Sequence, residues 1–278
     1  MTNTTKNILG ILIALVVFGS CSVEKKVARQ FTHHADSIAV MVMFTPDVLL
    51  TNSKNSQIEG SFYYRDANEN SDLLTESYLL PLFSDDSLLL PFKKAYLREL
   101  MQYKLKVYDT SGMEQFMQLT GRQYFIQLAQ LEFQEYLTSY EDAITVGEQV
   151  YTKTFYLNGI NFGSWFELSA VNGGDGEKIP VLFATHDLTD RWNGYFTQKF
   201  LTGEIEYRLQ IDSITAGDVK AFVSYLGRLY AAYTFDYLMN REISRKVPTS
   251  ERSQFYYRFD PYREVIFMTE EDKFTELD

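Results

Sequence analysis

Hydrophobic and polar positions change rhythm several times along the chain. Ser37 to Phe44 (SIAVMVMF) is continuously apolar and rich in β-branched residues, which predicts a buried strand that Pro46 ends. The segment up to Asn70 holds Asn52, Asn55, Gly60 and Asn68 and predicts loop, with one strand near Phe62–Arg65. Residues 71–140 then take a helical spacing. Pro91 suits a first helical turn, and Phe92, Tyr96, Leu100, Tyr103 and Val107 follow on one face, although Tyr103, Leu105 and Val107 equally suit a strand. After the break at Asp109–Gly112, Ser111 with Glu114 offers a capping box for a longer helix over Met113–Leu137. Its apolar residues cover most of the circumference, and Gln123, Gln127, Gln130 and Gln134 form a narrow stripe, so burial of most of it is expected.

From Glu148 the period becomes two. Tyr151–Leu157 and Ile160–Leu168 flank Asn158-Gly159, the dipeptide of a tight hairpin, and Asn172–Gly176 makes a further turn before Ile179–Ala184. Alternation is cleanest over Glu204–Asp212, where Ile205, Tyr207, Leu209 and Ile211 oppose Glu204, Glu206, Arg208, Gln210 and Asp212: a strand with one wet face, hence an antiparallel sheet. Thr215 and Asp218 open a helix to about Ile243 with Gly227, Ala231 and Ala232 free to pack closely on a second face. Strands near Phe255–Phe259 and Val265–Met268 close the body, and the acidic stretch 269–278 predicts a frayed tail. Segregated helices and hairpins predict an α+β fold: antiparallel sheets built from hairpins, packed with two or three long helices in one domain over 37–268.

The first residues tell of destination. The apolar run Ile8–Phe18 is shorter than the ~20 residues needed to span a bilayer core. Lys6 precedes it and Gly19-Ser20-Cys21 follows, the layout of a secretory signal over 1–20 that ends on small residues and a thiol. This run resembles the lipobox of bacterial lipoproteins, whose members usually carry Leu three residues before the cysteine where this chain has Phe18. The resemblance implies cleavage between Ser20 and Cys21, a diacylglycerol on the Cys21 thiol, acylation (commonly palmitate) of the new amino group, and a lipidated tether over 21–36. Two or more acyl chains anchor stably where one does not. In that family Asp after the cysteine often retains the protein at the inner membrane, and an acidic run marks surface display in some bacteria. Ser22 and Glu24-Lys25-Lys26 fit neither, so the expected place is the periplasmic face of the outer membrane.

Composition adds to this picture. Cys21 is the only cysteine, and acylation accounts for it in an exported chain large enough to fold without disulfides. The net charge of −11, which becomes −12 once Lys6 leaves with the signal, disfavours nucleic acid and repels anionic headgroups. Aromatics are abundant, with 21 Phe, 20 Tyr and 2 Trp, and exposed rings, Trp165 and Trp192 first among them, are candidates for stacking on sugar or on a partner protein.

Chemistry is sparse. His33 and His34 fall in the predicted tether; His186 has Asp187 and Asp190 nearby but no third strong ligand in sequence, so no metal is assigned. Asn172–Gly176 lacks the alternating carboxylates and closing Glu of a calcium loop, and Ser164 in Phe-Gly-Ser-Trp-Phe is not a nucleophile elbow. The acid pairs Asp85-Asp86, Glu141-Asp142, Asp187/Asp190 and Glu204/Glu206 could serve a glycosidase only if two of them faced a cleft. Arg241, Arg245, Lys246 and Arg252 suit a helix C-terminus. No catalytic residue, cofactor or metal is assigned. The expectation is a non-catalytic envelope lipoprotein that binds a partner or takes part in envelope assembly; the alternatives are a glycan-binding lipoprotein and a carboxylate-dependent glycan hydrolase.

Overall fold

The computed structural model describes residues 23–45, 47–54, 76–171 and 179–277. The leader with Cys21, the strand predicted near Phe62–Arg65 and the turn at Asn172–Gly176 lie outside the described residues. The class is α+β.

The predicted tether is corrected from its first described residue. Val23–His33 is helix α1, because Glu24, Val27, Ala28 and Phe31 recur at helical spacing and bury one face among charged neighbours. Phe31 packs edge-on against Phe235 at 5.5 Å, and the Glu24 carboxylate accepts from Ser253 N–H (2.7 Å), Ser253 Oγ–H (2.6 Å) and Tyr257 O–H (3.0 Å).

Strand β1 (Ile38–Phe44) follows, then β2 (Leu49–Asn52), helix α2 (Asp85–Gln102), β3 (Lys106–Tyr108) and the short helix α3 (Met113–Met117). Two expectations about caps fail here. Ser84 and Ser87 cap α2, so Pro91 lies inside the helix rather than in its first turn. Ser111 serves the Asp109 side chain rather than a capping box with Glu114, and α3 ends after five residues.

The helix predicted over Met113–Leu137 is mostly strand. β4 (Arg122–Val146) and β5 (Gln149–Ala170) form one long antiparallel hairpin whose turn is Gly147-Glu148, with Gly147 at φ +65°. Before the register shift at Leu128/Gln130 the core-facing residues are Ile126 and Leu128; after it they are Leu131, Phe133, Glu135 and Leu137. That bulge moves the inward phase from even to odd positions and erases the period-two signal across the stretch. Asn158-Gly159 is mid-strand, not a turn. A Cβ at Gly159 would run into the Tyr136 ring across the ladder, so the glycine makes room for a tyrosine.

β6 (Val181–Thr189) extends the sheet, and β11 (Thr275–Leu277) pairs with its far edge. The acidic end is therefore not a frayed tail: Phe274 is buried and packs on Phe166 at 5.2 Å. The order is β11-β6-β5-β4-β1-β3, with β2 pairing β4 beyond the bulge. β1 is parallel to both β3 and β4, since α2 carries the chain back over the sheet, so the large sheet is mixed.

Helix α4 (Ala216–Lys246) lies on the same face as α2. Its Thr215/Asp218 capping box forms as the sequence predicts. Between these helices and the sheet lies an aromatic core in which Phe92 meets Phe162 (5.9 Å) and Tyr96 stacks on Phe166 (5.7 Å). Tyr96 and Tyr230 are buried, their hydroxyls bonded to Thr234 (2.6 Å) and His186 (3.0 Å), so part of the tyrosine wealth is interior. Two ribbons complete the fold: β7 (Arg191–Gln198) with β8 (Ile205–Asp212), and β9 (Tyr256–Asp260) with β10 (Val265–Thr269). The alternation read over Glu204–Asp212 is present, with Ile205, Tyr207 and Leu209 half-buried and the charged positions exposed.

Candidate functional site

A chain of buried polar groups holds the β7–β8 ribbon at its root. Glu135 on β4 is sealed from solvent and meets the equally sealed Lys54 ammonium at 2.6 Å. Its carboxylate also accepts from Ser77 Oγ–H (2.6 Å) and from the N–H groups of Tyr78, Leu79 and Leu80 (2.8, 3.0 and 3.2 Å). Burial pushes the Glu135 carboxyl upward, but Lys54, Ser77 and the backbone donors outweigh it and hold it below the ordinary range. Lys54 donates onward to the side-chain amide oxygen Oδ1 of Asn158 at 2.8 Å.

Asn158 donates from its backbone N–H (2.8 Å) and its amide (3.1 Å) to one oxygen of buried Asp190, whose other oxygen accepts from Ile214 N–H at 2.8 Å. Asp190 immediately precedes β7 and Ile214 lies just beyond β8. One carboxylate thus clamps both feet of the ribbon beside the start of α4.

Above this root the ribbon packs on the outer half of the β4–β5 hairpin. Trp192 stands edge-on to buried Phe155 at 4.7 Å, Phe155 stacks with Tyr207 (6.2 Å) and Tyr140 (6.1 Å), and Tyr207 O–H donates to Asp142 at 2.9 Å. At the tip, Lys199 N–H donates to Glu204 (2.9 Å) and Gly203 N–H to the Lys199 carbonyl (2.8 Å), which closes the turn. The residues between them, Phe200 and Leu201, are 99% and 93% exposed. Two adjacent large apolar side chains presented in full by a bonded turn are an unusual use of surface. Covering each would contribute about 1.5–3 kcal/mol.

The residues singled out in the sequence lie elsewhere or in supporting roles. Trp192 is 36% exposed and belongs to the ribbon's packing. Trp165 is half-buried on the sheet face away from α2 and α4, lying across Gly163 and tilted 46° against Phe183. His33 and His34 meet edge-on at the end of α1, their rings perpendicular at 5.2 Å. His186 faces the core, where burial lowers its pKa against the opposing pull of Asp272 and Asp187. Asp187 binds Asn161, whereas Asp190 binds Asn158 on the opposite sheet face, so this acid pair is separated. Glu204 and Glu206 share exposed Lys199, and Asp85 and Asp86 sit in the first turn of α2. Ser164 is buried and donates to the Ala184 carbonyl. Arg245 and Lys246, joined by Arg122, grip Glu242 (2.9, 2.9 and 2.8 Å), and Arg252 caps the Val247 and Ser244 carbonyls; Arg241 is half-buried beside Glu242.

Among the described residues, no group of three His, Cys, Asp or Glu side chains is placed to hold a metal, and no helix is long and apolar enough to cross a membrane. Compared with protein-family models, curated proteins and solved structures, the chain matches none. The sequence pattern gave no sign of Lys54, Glu135, Phe200 or Leu201, and it cast Asn158 as a turn residue. For Phe200 and Leu201 a signal apart from that pattern existed: an apolar pair inside a Lys-Phe-Leu-Thr-Gly turn, where polar residues are the rule.

Proposed function

We propose that this chain is an exported lipoprotein, anchored through Cys21 at the periplasmic face of the outer membrane, whose non-catalytic body binds an envelope protein through the apolar tip of the β7–β8 ribbon. The observation that carries it is the near-total exposure of Phe200 and Leu201 on a turn fixed by its own hydrogen bonds. Helix α1, which begins at Val23, is docked on the body, so an anchor at Cys21 would hold the body close to the bilayer. The ribbon is rooted at the start of α4, whereas α1 crosses α4 near Phe235, roughly 30 Å further along at 1.5 Å per residue. The ribbon's root and the crossing of α1 are thus well separated on the body. A sugar platform calls for coplanar open rings; Trp192 is set edge-on to Phe155 and Trp165 is tilted against Phe183, which favours a protein partner.

The test is a photo-crosslinking residue placed at 201 in cells, beside a control at exposed Glu148 on the other hairpin turn. The expected result is one discrete envelope-protein adduct from position 201, absent from the control and lost with Phe200→Asp. Adducts of equal intensity from both positions, or none from 201, overturn the docking role. Mass spectrometry of the mature amino terminus tests the anchor separately: an acylated Cys21 supports it, and a free thiol behind an intact leader removes it.

A further inference from the structure

A second feature lies far from the ribbon, in the groove between α2 and α4. The two helices are drawn together at Gly227, where even a Cβ would come within 2.5 Å of the Phe92 carbonyl oxygen and 3.0 Å of the Ala95 side chain. Beside this contact the lining residues Pro91, Ala95 and Ser224 are small, and they leave a cleft of about 440 Å³. Lys94 and Arg98, one turn apart on α2, and Arg228 on α4 line it. Among the described residues, none of these three cations forms an ion pair.

The one acid in the lining is Glu99. It is buried, and its carboxylate accepts the Tyr262 hydroxyl proton at 2.9 Å. Tyr262, on the β9–β10 turn and 70% exposed, forms a rim. Burial, then Glu99, raises its hydroxyl pKa, while Arg228 and Arg98 pull it back.

We propose that this cleft binds the phosphoryl group of a small organic phosphate ester. Three cations against one carboxylate leave a local charge of about +2, matching the roughly −1.5 to −2 of a phosphate monoester rather than the single charge of a carboxylate. Guanidinium forks from two facing helices suit an oxyanion with three equivalent oxygens, which they grip bidentately from two sides. The volume falls near the lower end of the about 300–1,000 Å³ of small-molecule sites, and Tyr262 lines the rim where the organic part would lie.

Calorimetric titration of the full chain in neutral detergent tests this, with glycerol phosphate, inorganic phosphate and uncharged glycerol as probes and phosphatidate vesicles as the lipid arm. Glycerol phosphate should bind, glycerol should not, and Arg98→Ala and Arg228→Ala should each weaken binding roughly tenfold or more without shifting the thermal midpoint. Glu99→Gln should tighten it severalfold, because it removes a like charge from the site. Capture by phosphatidate vesicles but not by glycerol phosphate would reassign the phosphoryl source to a lipid headgroup and overturn the soluble-ester proposal. No heat with either soluble phosphate at millimolar concentration, or binding indifferent to both arginine variants, would also overturn it. The arginine variants alter exposed side chains, so they decide the matter even if Glu99→Gln fails to fold.

Discussion

Replacing Glu135 with Gln should be among the costliest single changes in the protein. The substitution keeps the shape but leaves the Lys54 ammonium sealed without a counter-charge, and breaking such a pair from one side costs about 3–5 kcal/mol. Urea unfolding of Glu135→Gln would measure it; a loss below about 1 kcal/mol, the range of surface pairs, would mean that water reaches the pair. Lys199→Ala, which removes the exposed partner of Glu204 and Glu206, should leave the midpoint where it is. In sequence, Lys54 in Asn-Ser-Lys-Asn and Glu135 in Phe-Gln-Glu-Tyr look like ordinary surface residues. Nothing local marks either as buried; only the pairing of β2 with β4 brings them together.

At the scale of elements, what was legible depended on whether a segment's rhythm ran unbroken. β8 and the α4 cap were readable because alternation and capping chemistry are local. β4 was not, because one extra residue at the bulge converts two in-phase halves into a sequence with helix-like coverage. Asn158-Gly159 misled for a related reason: the glycine answers to Tyr136 on the neighbouring strand and the asparagine to Asp190, neither of which a two-residue motif contains. Gly227 offers the test at this scale. Ala for Gly inside a helix normally stabilises by up to about 1 kcal/mol. Here the added methyl meets the Phe92 carbonyl, so Gly227→Ala should instead destabilise by about 1–3 kcal/mol of overpacking, read from the denaturation midpoint. A stabilised variant would show that α2 and α4 separate freely.

For the whole molecule, buried acids set the pH response. Burial pushes Asp236 up to about 7, despite the Phe259 N–H and Arg258 that favour its charged form. The folded state therefore holds this proton more tightly than the unfolded chain does. Its contribution is full below about pH 4, the unfolded value, and is lost as pH rises toward 7. Glu135 and Glu242 act in the opposite sense. Burial raises both, but their cationic and hydrogen-bonding partners prevail and lower them, so their contribution is present above about pH 4.3 and is lost on acidification through the folded pKa. Thermal midpoints should peak in mildly acidic buffer, near about pH 5, and Asp236→Asn should flatten the decline on the neutral side. A midpoint that climbs steadily to about pH 8 would show that Asp236 stays ionised against Arg258.

Read alone, the amino-acid order was enough to establish the α+β class, the last helix with its cap, strand β8 and the β9–β10 ribbon, because caps, turns and unbroken alternation are written within a few neighbouring residues. The placement of α1 and β11 on the body, the clamp of Asp190 on both feet of the ribbon and the grouping of Lys94, Arg98 and Arg228 around one cleft came only from folding. Each joins residues far apart in the chain, and burial reverses the meaning of a charge: a glutamate that reads as solvated surface becomes, once enclosed with a lysine, the anchor of the ribbon's root.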